Sequence, residues 1–267
     1  MNKRVFTYWV NMPGHSMPGY IELCVETWRK HIPNLELVTL DHDNLREWVG
    51  DIDFMRFLRL SLPMQSDVVS FMILAQHGGV FMDADTIVTK DIFEEIGKIG
   101  PGRFAAFGYP GTTNIHMAIL MASEPGNEFA TVAASLSALR LSKLPIIGSF
   151  DMSWDQFGNR IITEVSQIEH LKDLLYVLDR TGTGNILESI PSLNLSYLDD
   201  GGKYNRFYFN IQPSRQPEIL DLILPQIKFG AVSLHNSWTP EHFKNLSREQ
   251  VLDTDTMLAA LLRHALA

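Results

Sequence analysis

A helical segment, two consecutive glycines, a short apolar strand and two aspartates follow one another between residues 66 and 92. Ser66 is a favourable helix N-cap, and Asp67 suits the positive end of a helix dipole. The apolar run Val68–Gln76 predicts one helix, and Gly78-Gly79 predicts its end because glycine accepts the backbone angles of a C-terminal cap. This segment restricts the chain to folds in which a helix leads through a tight turn into a sheet.

The strand that follows predicts a ligand site at its C-terminal end. Val80–Met82 is short and apolar, as expected of a buried strand, and it leads directly to Asp83 and Asp85. Open α/β sheets bind ligands at the carboxyl ends of their strands. Carboxylates two residues apart on an extended chain share a side, with only Ala84 between them. They repel each other unless a cation lies between them, and their oxygens suit Mn²⁺ or Mg²⁺. The alternative is a turn at the strand end.

Three other Asp-x-Asp pairs occur, so this pattern alone has little weight. With 17 aspartates in 267 residues, about one such pair is expected by chance. The other three pairs lie in polar surroundings, where turn and cap roles are expected. They are Asp41/Asp43, Asp51/Asp53 and Asp253/Asp255.

The N-terminal region predicts a parallel sheet with crossover helices. Val5–Val10 is β-branched and aromatic, Pro18 opens a helix over residues 20–31, and residues 35–40 alternate as in a second strand. The order strand, helix, strand is typical of parallel α/β sheets.

The remainder of the chain predicts one domain. Strands are expected at 104–107 and 117–121, helices at 128–141 and 154–168, loops and short strands at 179–217, and one amphipathic helix at 248–266. Since no linker or repeat interrupts the sequence, we expect a single domain over 1–267.

Composition excludes several classes of protein. With 22 basic and 31 acidic side chains, a net charge of −9 and no concentrated Lys or Arg, nucleic acid is not expected as a partner. Cys24 is the single cysteine and permits no internal disulfide. No apolar stretch approaches the length of a bilayer span, and no signal peptide is recognised. We therefore expect a cytoplasmic protein, with peripheral contact at the inner face of the membrane left open.

The central segment resembles the signature of retaining glycosyltransferases with the GT-A fold. The nearest group is family 32, with its capsular polysaccharide synthesis and Och1-like relatives, and the sugar-transferring domains of large clostridial toxins are similar. The residues that carry the resemblance are Ser66-Asp67, Leu74, Gly78-Gly79-Val80-Phe81, Asp83 and Asp85. The resemblance implies an α/β GT-A domain with a mixed central sheet, a UDP-sugar donor, a saccharide or lipid-linked saccharide acceptor, and Mn²⁺ or Mg²⁺. Within it, residues 1–100 would bind the nucleotide-sugar, and residues 101–267 would form the acceptor side and the closing C-terminal motif.

Two weaker matches extend the resemblance towards both ends of the chain. Val5–Trp9 resembles the family's first strand, which implies donor binding by Trp9 and Val10. An indole ring at a sheet edge can cover a base, although a buried core tryptophan is the alternative. Residues 233–238 resemble the closing motif, in which His, Ser and Trp approach the metal and the diphosphate.

The closing motif adds polar groups to the predicted site. Its residues are His235, Ser237 and Trp238. A neutral imidazole can complete a metal shell begun by Asp83 and Asp85, whereas a hydroxyl and an indole N–H suit phosphate oxygens. For His235, a core histidine that is satisfied by its neighbours is the alternative.

One position departs from the family pattern. Many relatives carry Arg where this sequence has Ser70, one helical turn after Asp67, and both side chains then reach the donor sugar. Serine cannot replace a guanidinium. Either Arg56 or Arg59 enters the site, or the pocket admits a bulkier donor such as an N-acetylhexosamine, so we expect a hexosyl- or N-acetylhexosaminyltransferase.

Two other classes of function stay open at this stage. A metal-dependent phosphoesterase or nucleotidyltransferase could use Asp83 and Asp85, and a non-catalytic relative could bind sugar nucleotides without turnover.

Overall fold

A computed structural model describes residues 3–108, 115–179 and 198–267. The strands are β1 Arg4–Tyr8, β2 Glu36–Leu40, β3 Gly79–Met82, β4 Thr86–Val88, β5 Phe104–Gly108, β6 Ile115–Ser123, β7 Leu175–Asp179 and β8 Ala231–Ser233. The helices are α1 Gly19–His31, α2 Leu45–Val49, α3 Phe54–Phe57, α4 Leu62–His77, α5 Phe93–Ile96, α6 Glu128–Ser142, α7 Asn159–Ser166, α8 Glu169–Lys172, α9 Asp200–Phe209, α10 Gln216–Ile223, α11 Glu241–Lys244, α12 Arg248–Asp253 and α13 Met257–Leu266.

The central sheet has six strands of mixed direction, as the GT-A resemblance predicts. Its order is β2-β1-β3-β6-β5-β7. Strand β1 pairs in parallel with β2 and β3, and β5 pairs in parallel with β7, whereas β6 runs antiparallel to both β3 and β5. The predicted α/β class with a mixed sheet is therefore confirmed.

Residue contacts divide the chain into two compact units. Unit 1 comprises Met1–Val10, Glu36–Asp83 and Ile96–Asp179, and it contains the six-stranded sheet. Its core is built around α4, where Phe71 stands against Phe104 at 6.4 Å between ring centroids, and Phe104 stacks on Phe129 at 4.8 Å. These rings bury the apolar faces of two helices and the sheet together.

Unit 2 comprises Asn11–Leu35, Ala84–Glu95 and Arg180–Ala267, and it contains the antiparallel pair β4–β8. Helix α1 is fixed to β4 by side chains of its own. The Nε1–H of Trp28 donates to the Thr86 carbonyl at 2.6 Å, and the Val88 N–H donates to the Thr27 hydroxyl at 2.9 Å. The prediction of one domain over 1–267 stays a prediction.

The helix before the two glycines begins earlier than expected. Helix α4 starts at Leu62 after the N-cap Ser61, not at Ser66, and it ends at Gly78 as predicted. Pro63 in its first turn explains the difference, because the proline ring fixes a helical φ and needs no N–H there. Asp67 consequently lies in the second turn of α4, away from the positive end of the dipole.

The C-terminal half is more helical than expected. The prediction of loops and short strands over 179–217 is wrong for its described part, which contains α9 and the start of α10, whereas residues 180–197 lie outside the described residues. The single helix expected at 248–266 is two, because α12 ends before Thr254, which is extended. The helix expected over 154–168 is limited to α7. None of the helices within the described ranges is long and apolar enough to cross a membrane.

Candidate functional site

Asp83 directly follows β3 in unit 1 and forms two hydrogen bonds with Ile119 of β6. Its N–H donates to the Ile119 carbonyl at 2.9 Å, and its carboxylate accepts the Ile119 N–H at 3.0 Å. Ile119 has φ 75° and is buried, and the pairing of β5 with β6 shifts register nearby. A left-handed β-branched residue costs roughly 1–3 kcal/mol, and such strain is concentrated at functional sites. The left-handed conformation of Ile119 thus directs its backbone N–H towards the Asp83 carboxylate.

Asp67 is a partly buried carboxyl group of unit 1. Its pKa is raised well above the ordinary range, first by burial and then by the nearby carboxylates of Asp83 and Asp155. Ser70 follows one turn later on α4, where it is 1% exposed and its hydroxyl donates to the Asp67 carbonyl at 2.7 Å. The donor-binding role predicted for Asp67 stays a prediction, and the burial of Ser70 weighs against contact between Ser70 and a ligand.

The two arginines considered as substitutes for the family's arginine are held elsewhere in unit 1. Arg56 donates from Nε to the Leu144 carbonyl at 2.6 Å and pairs with Asp53. Arg59 donates to the carbonyls of Pro145 and Gly148. Both guanidinium groups therefore fix the segment after α6.

Trp9 and Val10 directly follow β1 in unit 1. The Trp9 N–H donates to the Leu40 carbonyl at 2.9 Å, which extends the pairing of β1 with β2 by one residue. Both side chains are partly exposed, so Trp9 is not a fully buried core residue. Their role in donor binding stays a prediction.

Asp85 lies in unit 2, where the structure brings it to the closing motif. Ala84 and Asp85 form a turn rather than an extended chain, and β4 begins at the next residue. The Asp85 carboxylate accepts the Asn236 N–H at 2.9 Å, and the Asp85 carbonyl accepts the Leu234 N–H at 2.9 Å. The pairing of β4 with β8 creates this contact, because Thr86 stands opposite Ser233.

The environment of Asp85 destabilises the charged form of its carboxyl group. Burial raises the pKa of the Asp85 carboxyl group to about 6, although the Asn236 N–H stabilises the carboxylate. A cation bound beside this carboxylate would remove the electrostatic cost of its burial.

The predicted residues of the closing motif form a compact turn. The N–H groups of Trp238 and Thr239 donate to the His235 carbonyl at 3.0 and 3.1 Å. The rings of His235 and Trp238 lie 4.2 Å apart, and Tyr204 of α9 places its ring 5.7 Å from the first and 5.9 Å from the second. Ser237 is exposed. Two helices thus support the turn, because Asn236 also accepts a hydrogen bond from Tyr20 of α1.

The predicted metal ligands are divided between the units, Asp83 in unit 1 and Asp85 and His235 in unit 2. Within residues 3–108, 115–179 and 198–267, no group of three or more His, Cys, Asp and Glu side chains is arranged to hold a metal ion. The donor chemistry nevertheless fits a hard cation, since carboxylate oxygens suit Mn²⁺ and Mg²⁺ and a carboxylate can accept more than one partner. The ligand set stays a prediction.

Two of the other Asp-x-Asp pairs have the predicted turn and cap roles. The Asp41 carboxylate accepts the N–H groups of Asp43 and Asn44 at 2.9 and 3.0 Å. Asp53 caps α3 by accepting the Arg56 N–H at 3.2 Å. Such bonds satisfy backbone groups and leave no reason to expect a ligand.

Residues 1–130 match the family model described as capsular polysaccharide synthesis protein. The predicted resemblance to the capsular polysaccharide synthesis group is thereby confirmed over that part of the chain. The match supports the predicted enzyme class, a glycosyltransferase. No curated protein matches the chain.

Several solved glycosyltransferase structures are similar to the chain. The glycosyltransferase GlyE of Streptococcus pneumoniae is 11% identical with a TM-score of 0.49, and the match covers 100% of this chain and 60% of GlyE. The UDP-bound glycosyltransferase domain of the YGT toxin is 10% identical with a TM-score of 0.46, and the match covers 99% of this chain and 97% of that domain. The PaToxG glycosyltransferase is 11% identical with a TM-score of 0.44, and the match covers 97% of this chain and 87% of PaToxG. These identities and scores are too low to assign a substrate.

Proposed function

We propose that the chain is a metal-dependent, retaining glycosyltransferase that moves a sugar from a UDP-sugar to a saccharide or lipid-linked saccharide during surface polysaccharide synthesis. The observation that carries the proposal is the hydrogen bond between the Asn236 N–H and the Asp85 carboxylate, which joins residues 151 positions apart. The family resemblance assigns both sequence motifs to one donor site, and their contact within unit 2 supports that assignment.

The chemical task in this proposal is the departure of UDP from the donor sugar. Asp83 and Asp85, with His235, would hold a divalent cation that neutralises charge developing on the diphosphate. The Ser237 hydroxyl and the Trp238 Nε1–H would donate to phosphate oxygens, which are good acceptors for such donors. These residues are the proposed machinery for stabilising the leaving group.

The remaining predicted residues would hold the rest of the donor. Trp9 and Val10 would contact the uracil, and Asp67 would accept hydrogen bonds from sugar hydroxyls. Burial and neighbouring carboxylates raise the pKa of the Asp67 carboxyl group. Hydrogen-bond donors on the sugar would stabilise the charged form of this group. Because Arg56 and Arg59 donate to backbone carbonyls, the alternative that remains is a site that admits a bulkier donor such as an N-acetylhexosamine.

The experiment that tests the function combines binding with turnover. A thermal-shift screen of nucleotide-sugars with Mn²⁺ should show the largest stabilisation by one UDP-sugar, and UDP should then be released from it only when a saccharide acceptor is added. Hydrolysis of a phosphate ester or transfer of a nucleotidyl group would instead support the phosphoesterase or nucleotidyltransferase alternative. Metal-dependent UDP binding without turnover across an acceptor panel would indicate a non-catalytic relative.

Trp9→Ala is expected to weaken UDP binding by about 1–3 kcal/mol, the usual scale for an aromatic ring stacked on a base. Calorimetry with Mn²⁺ measures the effect. Trp154→Ala is the matched control, because Trp154 belongs to the same unit and is 72% exposed. Equal binding by both variants would contradict the base-stacking role of Trp9.

The turn formed by His235–Trp238 is expected to become more protected when donor binds, because donor and metal would add contacts to it. Hydrogen exchange at residues 234–239 should slow on adding UDP and Mn²⁺. Exchange in α6, which carries no proposed donor residue, should stay constant. If residues 234–239 exchange equally fast with and without UDP, the closing motif does not contact the donor.

A further inference from the structure

Tyr20 is a fully buried phenol that reaches the closing motif from α1. Its side chain is 0% exposed, and its hydroxyl donates to the Asn236 Oδ1 at 2.5 Å. Burial raises the Tyr20 pKa far above the ordinary phenol value, so the hydroxyl keeps its proton at neutral pH. Because solvent does not reach this buried hydroxyl, no water competes for it and we expect the hydrogen bond to persist.

Asn236 connects Tyr20 to Asp85 through two different groups of one residue. Its side-chain oxygen accepts the Tyr20 hydroxyl, and its backbone N–H donates to the Asp85 Oδ2 at 2.9 Å. The side-chain bond holds Asn236 against α1, and the backbone of the same residue carries the N–H that donates to Asp85. An amide aimed at a carboxylate is a charge-assisted donor, which also fixes the orientation of the carboxylate.

Helix α1 is a rigid support for this connection. An added Cβ at Gly19 would lie 2.7 Å from the Leu246 carbonyl oxygen, so the start of the helix lies directly against that backbone. Further along α1, Trp28 donates to the carbonyl of Thr86, the residue after Asp85. The helix that carries Tyr20 is thus anchored beside the carboxylate that Tyr20 would control.

We propose that Tyr20 is a positioning residue for Asp85, acting through Asn236 to hold the carboxylate in the orientation that binds the metal–diphosphate group of the donor. This inference rests on the proposed function, since it assigns Tyr20 a role in the same site. Tyr20 itself would touch neither donor nor metal. Groups that hold a metal ligand in place are commonly worth about 10–100-fold in metal affinity or activity.

Packing alone is the competing explanation for Tyr20, whose ring lies 5.9 Å from that of Phe243. Tyr20→Phe separates the packing role from the positioning role, because it keeps the ring and removes only the hydroxyl. Tyr208→Phe is the matched control. It removes another buried phenol hydroxyl of unit 2, one that has no hydrogen-bond partner among the described residues.

The test measures binding of UDP and Mn²⁺ by calorimetry, with turnover as a function of Mn²⁺ concentration. Tyr20→Phe should weaken Mn²⁺-dependent UDP binding about tenfold and raise the Mn²⁺ requirement, with turnover recovering at saturating Mn²⁺. Tyr208→Phe should bind UDP and Mn²⁺ within about twofold of wild type, because its hydroxyl has no partner among the described residues. Asn236→Ala should reproduce the Tyr20→Phe defect, and the double variant should be no worse than either single variant, as expected for one linked path.

Each other result has a distinct meaning. If wild type binds UDP with Mn²⁺ but Tyr20→Phe binds equally well, or if Tyr208→Phe loses as much, the positioning role is overturned and the proposed function stands. Additive losses in the double variant also overturn it. If wild type binds no UDP in the presence of Mn²⁺, the proposed function fails and the inference fails with it. Should Tyr20→Phe not fold, Asn236→Ala with its partly exposed side chain decides the question.

Discussion

Asp85→Asn is expected to abolish sugar transfer and at the same time to make the protein more stable at neutral pH. The loss of activity should be at least about a hundredfold, because the variant removes the charge that would hold the cation at the leaving diphosphate. The gain in stability follows from the environment of Asp85, whose burial raises its pKa to about 6. Asparagine keeps the shape of the side chain and its bond to the Asn236 N–H, but has no charge to bury.

The pH dependence of this gain follows from proton linkage. In the unfolded chain an aspartate has a pKa near 3.9, so between about pH 4 and pH 6 the folded state binds more protons than the unfolded state. The contribution of Asp85 to stability is therefore largest below pH 4 and is lost as the pH rises to about 6. We expect Asp85→Asn to raise the free energy of unfolding at pH 7 by at most about 3 kcal/mol, and by much less at pH 4.

Urea unfolding at pH 4 and pH 7 and a turnover assay with UDP-sugar measure the two effects. Asp255→Asn is the control, because Asp255 belongs to another Asp-x-Asp pair and is exposed. Added Mn²⁺ should raise the melting temperature of wild type and of the control but not that of Asp85→Asn. Full wild-type turnover in excess EDTA would contradict the metal role, and a lower stability of Asp85→Asn at pH 7 would contradict the burial of an uncompensated charge.

The contact between Asp85 and the closing motif was predictable only through the family resemblance. Periodicity and turn residues predict β3 and the end of α4, because those signals are local. The pairing of β4 with β8 joins strands of three residues each, far apart in sequence, and neither carries a distinctive pattern. Sequence reasoning consequently predicted roles for Asp85 and His235 but not the hydrogen bond at Asn236.

Tyr20 and Tyr204 were missed for different reasons. Tyr20 is the first residue of the helix predicted over residues 20–31, and no sequence pattern reveals where a phenol hydroxyl points. Tyr204 lies in a segment rich in Gly, Asn and Ser that predicted loops. The recurrence of Tyr204, Phe207 and Tyr208 at helical spacing was the signal available there, and all three are buried on α9.

The strain at Ile119 has no sequence signal at all. Isoleucine disfavours a positive φ, so its type predicts an ordinary strand residue there. The left-handed angle follows from tertiary structure, in which β6 bonds to Asp83 through both backbone groups of Ile119 while its pairing with β5 shifts. Local propensity is overridden where several hydrogen bonds together fix one residue.

Gly78→Ala is expected to destabilise the protein by about 2–6 kcal/mol, a large part of the stability of an ordinary domain. Gly78 caps α4 at φ 60° and ψ −157°, a region that is essentially restricted to glycine. An added Cβ would also lie 2.4 Å from the Pro125 backbone nitrogen, and proline has little freedom to move away. Backbone strain and a collision with backbone therefore add up at one position.

Gly50→Ala separates these two contributions. Gly50 caps α2 at φ 66° and ψ −141°, nearly the same angles, but an added Cβ would meet nothing within 4 Å. Its substitution should cost only the backbone strain, about 1–3 kcal/mol. Urea unfolding of both variants gives the difference, which we assign to Pro125. If the two variants lose equal stability, the space beside Gly78 can relax, and the glycine before β3 is required for its backbone angles alone.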